Sequence, residues 1–199
     1  MHGTMSHVPP LVLASTSRYR RALLERLGLP FTTTAPACDE EALKDPRLKP
    51  QALAELLAEA KAASLAGTHP AAVIIGSDQV CEVDGAILHK PGTVEGAVAQ
   101  LLRLEGRAHR LITAMVVVHG ARRWRHTDVT TLVMRQQSAA ALERYVVADQ
   151  PLDCAGAYKL EQRGIGLFER IDSADHNAIV GLPLIALAGI LREVGYQIP

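Results

Sequence analysis

The stretch Leu-Val-Leu-Ala-Ser-Thr-Ser-Arg-Tyr-Arg-Arg occupies residues 11–21, and it joins an apolar run, a hydroxyl-rich turn and the start of a helix. The apolar run has strand character. Apolar residues then recur at helical spacing from Ala22 until Gly28 ends the pattern. We therefore predict a strand, a turn and a helix in this order, which is how many α/β folds begin.

The rest of the chain continues this alternation of strand and helix signals. The pattern predicts a strand over 31–34, an acidic loop over 38–41, a helix from about 50 to 66, a strand over 71–76, a hairpin turn at 83–86, a helix over 94–104, β-rich runs over 111–118 and 124–134, a helix over 138–147, a strand over 165–171 and a closing helix over 182–194. The two β-rich runs meet through Gly120, which predicts an antiparallel pair. The predicted fold class is α/β, with a mixed sheet.

Length and composition are those of an ordinary soluble protein. The chain has 199 residues, of which 48% are hydrophobic and 21% charged, which suits one domain or two lobes around a cleft. No apolar run reaches transmembrane length, and the N-terminus lacks the apolar stretch of a signal peptide. We expect residues 1–10 to be a leader without fixed structure and residues 11–199 to form a single domain.

Charge and cysteine content narrow the class of protein further. The formal net charge is zero, whereas proteins that bind nucleic acid along its backbone usually carry a basic excess. The three cysteines, Cys38, Cys81 and Cys154, are far apart and form no CxxC pair, so no disulfide framework or zinc ribbon is indicated. A reducing compartment, the cytoplasm, is the simplest reading.

The turn at residues 15–17 is a candidate phosphate site. It opens a helix whose first turn carries Arg20 and Arg21, and a helix N-terminus presents free N–H groups at the positive end of its dipole. Hydroxyl and guanidinium groups added there suit a phosphate. A plain helix cap with solvated arginines is as good an explanation of this segment taken alone.

Acidic residues in two places suggest a metal site. Asp78 follows a predicted buried strand, and ligands of open α/β sheets collect at the carboxyl ends of strands. Asp39, Glu40 and Glu41 lie together in a loop, and Mg²⁺ is commonly held by a few carboxylates together with water and phosphate oxygens. A turn-forming aspartate and a solvated acidic loop are the alternatives, and each is favoured when its segment is taken alone.

Lysines complete the set of candidate residues. Lys61 lies in an Ala- and Leu-rich helical segment, Lys90 precedes Pro91, and Lys159 follows a small-residue stretch; any one of them alone is best explained as a surface lysine. Walker A, HExxH, GxGxxG and GxSxG motifs are absent from the sequence.

In combination, these segments resemble the Maf-like nucleotide pyrophosphatases, the septum formation protein family. The matching pieces stand in family order along nearly the whole chain. They are Leu13–Ser17 with Arg20 and Arg21, Asp39-Glu40, Lys61-Ala62, Gly76–Val80, Lys90-Pro91, Ala155–Lys159, and Asn177 with Gly181–Pro183. The resemblance implies an elongated mixed sheet flanked by helices, like that of inosine triphosphatases, with a deep cleft between two lobes and a homodimer.

The resemblance also implies a reaction and its residues. Asp78 is expected to be the catalytic acceptor and Glu40 its partner on the metal side, with Mg²⁺ or Mn²⁺ as the divalent cation. Lys61 and Lys90 are expected to join them as catalytic residues, and the remaining expected roles are contacts to the substrate. The triphosphate is expected to meet Ser15, Arg20, Lys61 and Lys90, and Lys159 is a further expected substrate-binding residue.

Three positions separate the branches of this family by base preference, and here they are Tyr19, Gln79 and Glu161. The dTTP/UTP enzymes typically have Arg, Thr and Gln there, whereas 7-methyl-GTP pyrophosphatases have an aromatic residue, Gln and Glu, which this sequence matches. An aromatic ring can stack on the cationic base, and a carboxylate can accept from the guanine N–H groups. Tyr19 stands where tryptophan is usual, and Arg18 stands where proline is usual.

Two rival interpretations stay open at this point, and a third is discounted. The enzyme could act on dTTP, UTP or a broad range of modified nucleotides. The chain could instead be a regulator of cell division that acts through partners without catalysis. A nucleic-acid interface over residues 122–125 is disfavoured, because that stretch fits the turn and start of a β-hairpin strand and the chain has no net positive charge.

Overall fold

In the computed structural model, which describes residues 8–198, seven strands form one sheet. The strands are β1 (Leu11–Ala14), β2 (Thr32–Thr34), β3 (Val73–Val83), β4 (Ala86–Leu88), β5 (Ala108–His119), β6 (Arg122–Met134) and β7 (Phe168–Asp172). The helices are α1 (Arg18–Glu25), α2 (Glu40–Leu43), α3 (Pro50–Ala63), α4 (Val94–Leu104), α5 (Ala139–Asp149), α6 (His176–Val180) and α7 (Leu184–Val194), and a 3-10 helix (Arg163–Leu167) precedes β7. The predicted fold class, an elongated mixed sheet flanked by helices, is confirmed.

The sheet is parallel at one side and antiparallel elsewhere. Its order is β2-β1-β3-β5-β6-β7, and β4 pairs with β3. Strand β1 runs parallel to β2 and β3, and all other pairs are antiparallel. Because helices cover both faces at the parallel side, all four residues of β1 are buried, which explains its unbroken apolar sequence.

Three apolar clusters hold the helices onto the sheet. Helix α3 packs on one face through Leu53, Leu57 and neighbouring small residues at helical spacing. Helices α1 and α7 cover the opposite face, where Leu24 and Leu187 are fully buried. Helices α4 and α5 pack around the far ends of β3, β5 and β6, and so form the second lobe. The C-terminal segment returns to the beginning of the sheet, since Tyr196 Oη donates to the carbonyl of Pro9 at 2.6 Å.

A glycine sets the distance between α3 and the sheet. A Cβ atom added at Gly76 would lie 2.3 Å from the carbonyl oxygen of Ala58 and 2.6 Å from the amide nitrogen of Ala62. The helix backbone therefore rests directly on β3. Since side chains alternate along a strand, Asp78 points to the same face as Gly76, and this close packing brings it beside Lys61 of α3.

Two predicted hairpins are confirmed. Strands β5 and β6 form one long antiparallel pair, from Ala108 opposite Val133 to His119 opposite Arg122. The turn between β3 and β4 has positive φ angles at both Asp84 and Gly85, as the tightest two-residue hairpins require.

Other local predictions are wrong in detail. The strand predicted to end before Asp78 continues to Val83, because its second half pairs with β5 and β4. The acidic loop contains α2, whose N-terminus is capped by Asp39 through the amide of Ala42. The segment 165–171 is partly a 3-10 helix, and strand structure begins only at Phe168.

The sequence pattern also missed helix α6, which is short and capped by Asp175. Within residues 8–198, no helix is both long and apolar enough to cross a membrane. The predicted leader falls on residues 1–7, which lie outside the described part of the chain, and on residues 8–10, which lead into β1. The predicted domain limits stay predictions.

Candidate active site

A cleft with a volume of about 1660 Å³ lies where α1, α2, α3 and the middle of β3 come together. Loops that follow β4 and α5 form its other wall. Nine of the ten residues predicted as site residues line it, namely Ser15, Tyr19, Arg20, Glu40, Lys61, Asp78, Gln79, Lys90 and Glu161. The tenth, Lys159, does not.

The turn between β1 and α1 is held in shape by its own hydroxyl groups. Ser15 Oγ accepts a hydrogen bond from the amide of Ser17 at 3.1 Å, and Ser17 Oγ accepts one from the amide of Arg20 at 3.4 Å. Ser17 is thereby the N-cap of α1, and the positive end of the helix dipole lies at the wall of the cleft. The turn has the chemistry of a phosphate-binding site.

Arg20 is anchored on one side and open on the other. Its Nε donates to the carbonyl oxygen of Gly181 at 2.9 Å. Burial lowers the pKa of Arg20 below its usual value, and the carboxylates of Asp78 and Glu40 oppose that shift. Its two terminal nitrogens make no hydrogen bond to another described residue, so they are available to an anion in the cleft.

Lys61 is a buried cation shared by two carboxylates. Its side chain is only 7% exposed, and its Nζ lies 2.6 Å from Asp78 Oδ1 and 2.9 Å from Glu40 Oε2. An unpaired ammonium group at this depth would be strongly unfavourable, so the two acids stabilise it as a charge. These three residues lie on separate elements, α2, α3 and β3. From the sequence they could be grouped only because their motifs stand in the order typical of the family.

The same acids have the chemistry to hold a divalent cation. Asp78 and Glu40 each use one oxygen on Lys61, and the other oxygen of each makes no ion pair or side-chain hydrogen bond with any residue from 8 to 198. Within residues 8–198 there is no group of three or more His, Cys, Asp or Glu that could hold a metal ion alone. A pair of carboxylates suits Mg²⁺ or Mn²⁺ when phosphate oxygens and water complete the coordination, so the residues fit such an ion.

Gln79 is braced against the backbone of α6. Its Nε2 lies 2.9 Å from Thr113 Oγ1 and 2.9 Å from the carbonyl oxygens of Ala178 and Ile179. The two amide hydrogens are therefore committed within the protein. The group that Gln79 can offer to a ligand is its acceptor oxygen.

The opposite end of the cleft carries aromatic and acidic side chains. Tyr19 lies in the first turn of α1, and its ring is covered by the guanidinium group of Arg18, with 4.8 Å between Cζ and the ring centroid. Its hydroxyl donates to Asp153 in the loop after α5. Burial raises the pKa of Tyr19, which keeps the phenol neutral. Glu161 is exposed on the same wall.

Lys90 and Lys159, two lysines predicted as site residues, lie in different environments. Lys90 is exposed on the cleft wall after β4, where its side chain can reach a bound anion. Lys159 is buried, and its Nζ donates to the carbonyl oxygens of Asp149 and Gln150 at 2.8 and 2.9 Å. Its ammonium group therefore holds the C-terminal end of α5, and the structure does not bring it to the substrate contact that was predicted.

Sequence reasoning did not single out Asp153, and it treated Arg18 only as a departure from the family pattern. Asp153 lies in a loop and belongs to none of the sequence motifs, and 134 positions along the chain separate it from Tyr19. The single available signal was that Arg18 and Tyr19 stand side by side, which places a cation next to an aromatic ring.

Comparison with known proteins gives matches along nearly the whole chain. A sequence model of the family described as "Maf-like protein" matches residues 10–194. The 7-methyl-GTP pyrophosphatase of Bdellovibrio bacteriovorus is 50% identical over 183 residues, covering 92% of this chain and 96% of that one. The protein of the same name from Xanthomonas axonopodis pv. citri is 49% identical, covering 96% and 100%.

Among solved structures, the Ham1 protein of Staphylococcus aureus has a similar fold. The TM-score is 0.52 at 16% sequence identity, and the match covers 92% of this chain and 98% of that one. At this level of identity the likeness concerns the fold, and it agrees with the mixed sheet and cleft described above.

Proposed function

The chain belongs to the Maf-like protein family, and on that premise we propose that it is a nucleoside triphosphate pyrophosphatase that hydrolyses 7-methyl-GTP to 7-methyl-GMP and pyrophosphate. Relatives at 46–50% identity over at least 92% of the chain carry the name of that activity. This degree of similarity places the chain close to enzymes so named, and the cleft offers the chemistry the reaction needs.

One observation carries the proposal, and it is the buried ammonium group of Lys61 held between the carboxylates of Glu40 and Asp78. An acid pair around a buried ammonium lies next to a helix N-terminus and next to Arg20. Such a mixture of acids and cations suits a substrate that brings several negative charges and a reaction that must also move a proton.

In the proposed mechanism, the triphosphate lies along the turn at residues 15–17, with Arg20, Lys61 and Lys90 against its oxygens. Asp78 accepts a proton from a water molecule as that water attacks the α-phosphorus. A new bond forms between the water oxygen and phosphorus, and the bond from the α-phosphorus to the bridging oxygen breaks. Pyrophosphate leaves with the electron pair of that bond, and the cationic side chains offset its growing charge.

Glu40 and Asp78 are the residues that would hold a divalent cation, Mg²⁺ or Mn²⁺. A bound divalent cation supplies Lewis-acid stabilisation of the phosphate oxygens. The protein's own contribution is to orient both carboxylates, which Lys61 does by bonding to one oxygen of each.

At the base end, Tyr19 and Glu161 are the proposed readers of 7-methylguanine. The methylated ring is cationic and stacks favourably on an aromatic face. A carboxylate accepts from N1–H and from the exocyclic amine, a pair of donors that a pyrimidine lacks at that edge. Gln79 offers an acceptor oxygen in the same cleft, and Lys159 has no role in base recognition because its ammonium group is bonded elsewhere.

The experiment that tests the function is a substrate panel. Pyrophosphate release would be measured from 7-methyl-GTP, GTP, dTTP, UTP and CTP with Mg²⁺ and then with Mn²⁺. We expect 7-methyl-GTP to have the highest kcat/KM. A preference for dTTP or UTP would keep the reaction and reject the base assignment. Absence of release from every nucleotide by folded protein would favour a non-catalytic regulator of cell division.

Assembly and location belong to the same proposal. The homodimer implied by the family predicts a mass of twice the 21.4 kDa chain in light scattering. A cytoplasmic location is supported by three cysteines, Cys38, Cys81 and Cys154, which are all free thiols, as in a reducing compartment. Cell fractionation tests it. We propose no nucleic-acid partner.

A further inference from the structure

Three side chains at the base end of the cleft form a connected set, which we call the Tyr19 cluster: Arg18, Tyr19 and Asp153. Arg18 Nη2 donates to Tyr19 Oη at 2.7 Å and lies 3.4 Å from Asp153 Oδ2. Tyr19 Oη lies 3.2 Å from both oxygens of Asp153. A planar cation therefore covers an aromatic ring while a carboxylate faces both.

The contacts that hold Arg18 in this place are weak. Its side chain is 71% exposed and that of Asp153 is 48% exposed, so solvent screens their attraction. A cation over an exposed aromatic ring adds only a modest further stabilisation. The guanidinium group can therefore be displaced by a ligand that satisfies the same ring and the same carboxylate.

The chemistry of the Tyr19 cluster indicates what kind of ligand would displace Arg18. It must be planar, to lie on the ring of Tyr19, and it must carry a positive charge, to replace the guanidinium group beside Asp153. A purine with a methyl group on N7 has both properties, whereas an unmethylated guanine is planar but neutral. A carboxylate at the position of Asp153 therefore distinguishes the methylated base from unmethylated guanine by charge. This distinction does not depend on the N–H groups from which Glu161 can accept hydrogen bonds.

We propose that Asp153 is a specificity-determining residue for a positively charged base, and that Arg18 occupies the place of that base in the free protein. The proposal rests on the proposed function, because it concerns the base end of the same cleft. Asp153 acts in two ways. Its charge attracts the cationic ring, and its acceptance of the Tyr19 hydroxyl fixes the orientation of the stacking surface.

The first test removes the charge of Asp153 and keeps its shape. In Asp153→Asn, the ratio of kcat/KM for 7-methyl-GTP to that for GTP should fall about three- to tenfold, the range expected for one partly exposed charge contact. Asp153→Glu should restore much of the ratio. Asp172→Asn is the matched control, because Asp172 is an exposed acid in a surface ion pair outside the cleft. An unchanged ratio in Asp153→Asn would overturn the proposal.

The second test removes the occupant. Arg18→Ala uncovers the ring of Tyr19, so the KM for 7-methyl-GTP should decrease, by about two- to fivefold for a contact of this strength. An increase in KM would mean that Arg18 itself binds the nucleotide, and it would overturn the assignment of Arg18 as a stand-in for the base.

A binding measurement separates failure of this inference from failure of the proposed function. Calorimetric titration with 7-methyl-GMP and with GMP needs no turnover and no added metal. A wild-type preference for 7-methyl-GMP that Asp153→Asn reduces would support the inference even if no nucleotide is hydrolysed. Equal affinity of the wild type for both nucleotides would reject it, even in an active pyrophosphatase.

Discussion

At the scale of single residues, the proposed reaction depends most on Asp78. Its Oδ1 accepts from Lys61 at 2.6 Å, and its side chain is 13% exposed on the cleft wall. Asp78→Asn keeps the shape of the side chain and removes its charge and basicity. We expect kcat for pyrophosphate release to fall by about 10²- to 10⁴-fold, the usual contribution of a general base. Steady-state kinetics would measure it.

The control for that substitution is again Asp172→Asn, which removes one exposed carboxylate outside the cleft. Circular dichroism of Asp78→Asn should match the wild type, because Lys61 keeps Glu40 as a partner. Near-normal turnover by folded Asp78→Asn protein would exclude Asp78 as the base.

Single residues also show where sequence reasoning succeeds and where it stops. Lys61 and Asp78 are recognisable because each stands in a short motif at its family position. Lys159 stands in such a motif too, yet its ammonium group bonds to the end of α5. Asp153 has no motif, and only the folded chain brings it to Tyr19. A motif identifies a residue, whereas the direction of its side chain depends on packing.

At the scale of elements, the contact between α3 and β3 positions Lys61 against Asp78. Gly76→Ala would place a Cβ within 3 Å of three atoms of α3, two of them backbone atoms. The helix would have to move away from the strand. We expect a loss of about 1–3 kcal/mol in the free energy of unfolding, as for other overpacked cores, together with reduced activity. Denaturant unfolding and pyrophosphate release would measure the two effects.

Gly189→Ala is the matched control. Gly189 lies in helix α7, and a Cβ there would meet nothing within 4 Å. Alanine in a helix is more favourable than glycine, so this variant should be as stable as the wild type or more stable by up to about 1 kcal/mol. Equal stability of the two variants would contradict the close packing at Gly76.

Element prediction from sequence was accurate where the signal was local. The amphipathic pattern of α3 and the Asp84-Gly85 turn depend on neighbouring residues, and both are confirmed. The length of β3 depends on a remote partner, because Asp78 pairs with Ala114 of β5. Local patterns therefore predicted a strand that ends too early. Helix α6 was missed because five residues are too few for a periodic pattern.

At the scale of the whole molecule, stability should depend on pH through His109. This residue is 2% exposed, and its Nε2 lies 3.0 Å from Tyr158 Oη. Burial lowers the pKa of His109 to about 4 in the folded protein. The unfolded chain has a histidine pKa of about 6.5, so it binds the proton first as pH falls. The free energy of unfolding should therefore decrease by up to about 3 kcal/mol between pH 6.5 and 4.

His109→Gln isolates this contribution, since glutamine can bond to the Tyr158 hydroxyl but does not titrate. Between about pH 4.5 and 6, denaturant unfolding of the wild type should show a slope steeper by roughly 1.4 kcal/mol per pH unit than that of the variant. The carboxylates contribute to both proteins alike. Parallel profiles would mean that His109 is protonated as readily in the folded protein as in the unfolded one.

The fold class could be predicted from the sequence, but the order of the strands in the sheet could not. Alternating strand and helix signals predicted an α/β fold, and the long β-rich runs predicted its antiparallel part. The order of strands in the sheet is set by packing between distant segments, such as β1 against β3 and β6 against β7. Local periodicity carries no information about those partners, and the family resemblance supplied what the pattern lacked.

The hydrogen bond from Tyr196 to the carbonyl of Pro9 has a consequence for folding during synthesis. The apolar strand β1 leaves the ribosome before α7 and Tyr196, yet it packs with both. At roughly 5–20 residues per second, synthesis from Leu11 to Tyr196 takes on the order of 10–40 s. During that time the apolar cluster around β1 is incomplete, so this side of the sheet can fold fully only after Tyr196 has been made. We therefore expect the apolar residues of β1 to stay exposed longer during synthesis than those of strands whose partners follow closely in the chain.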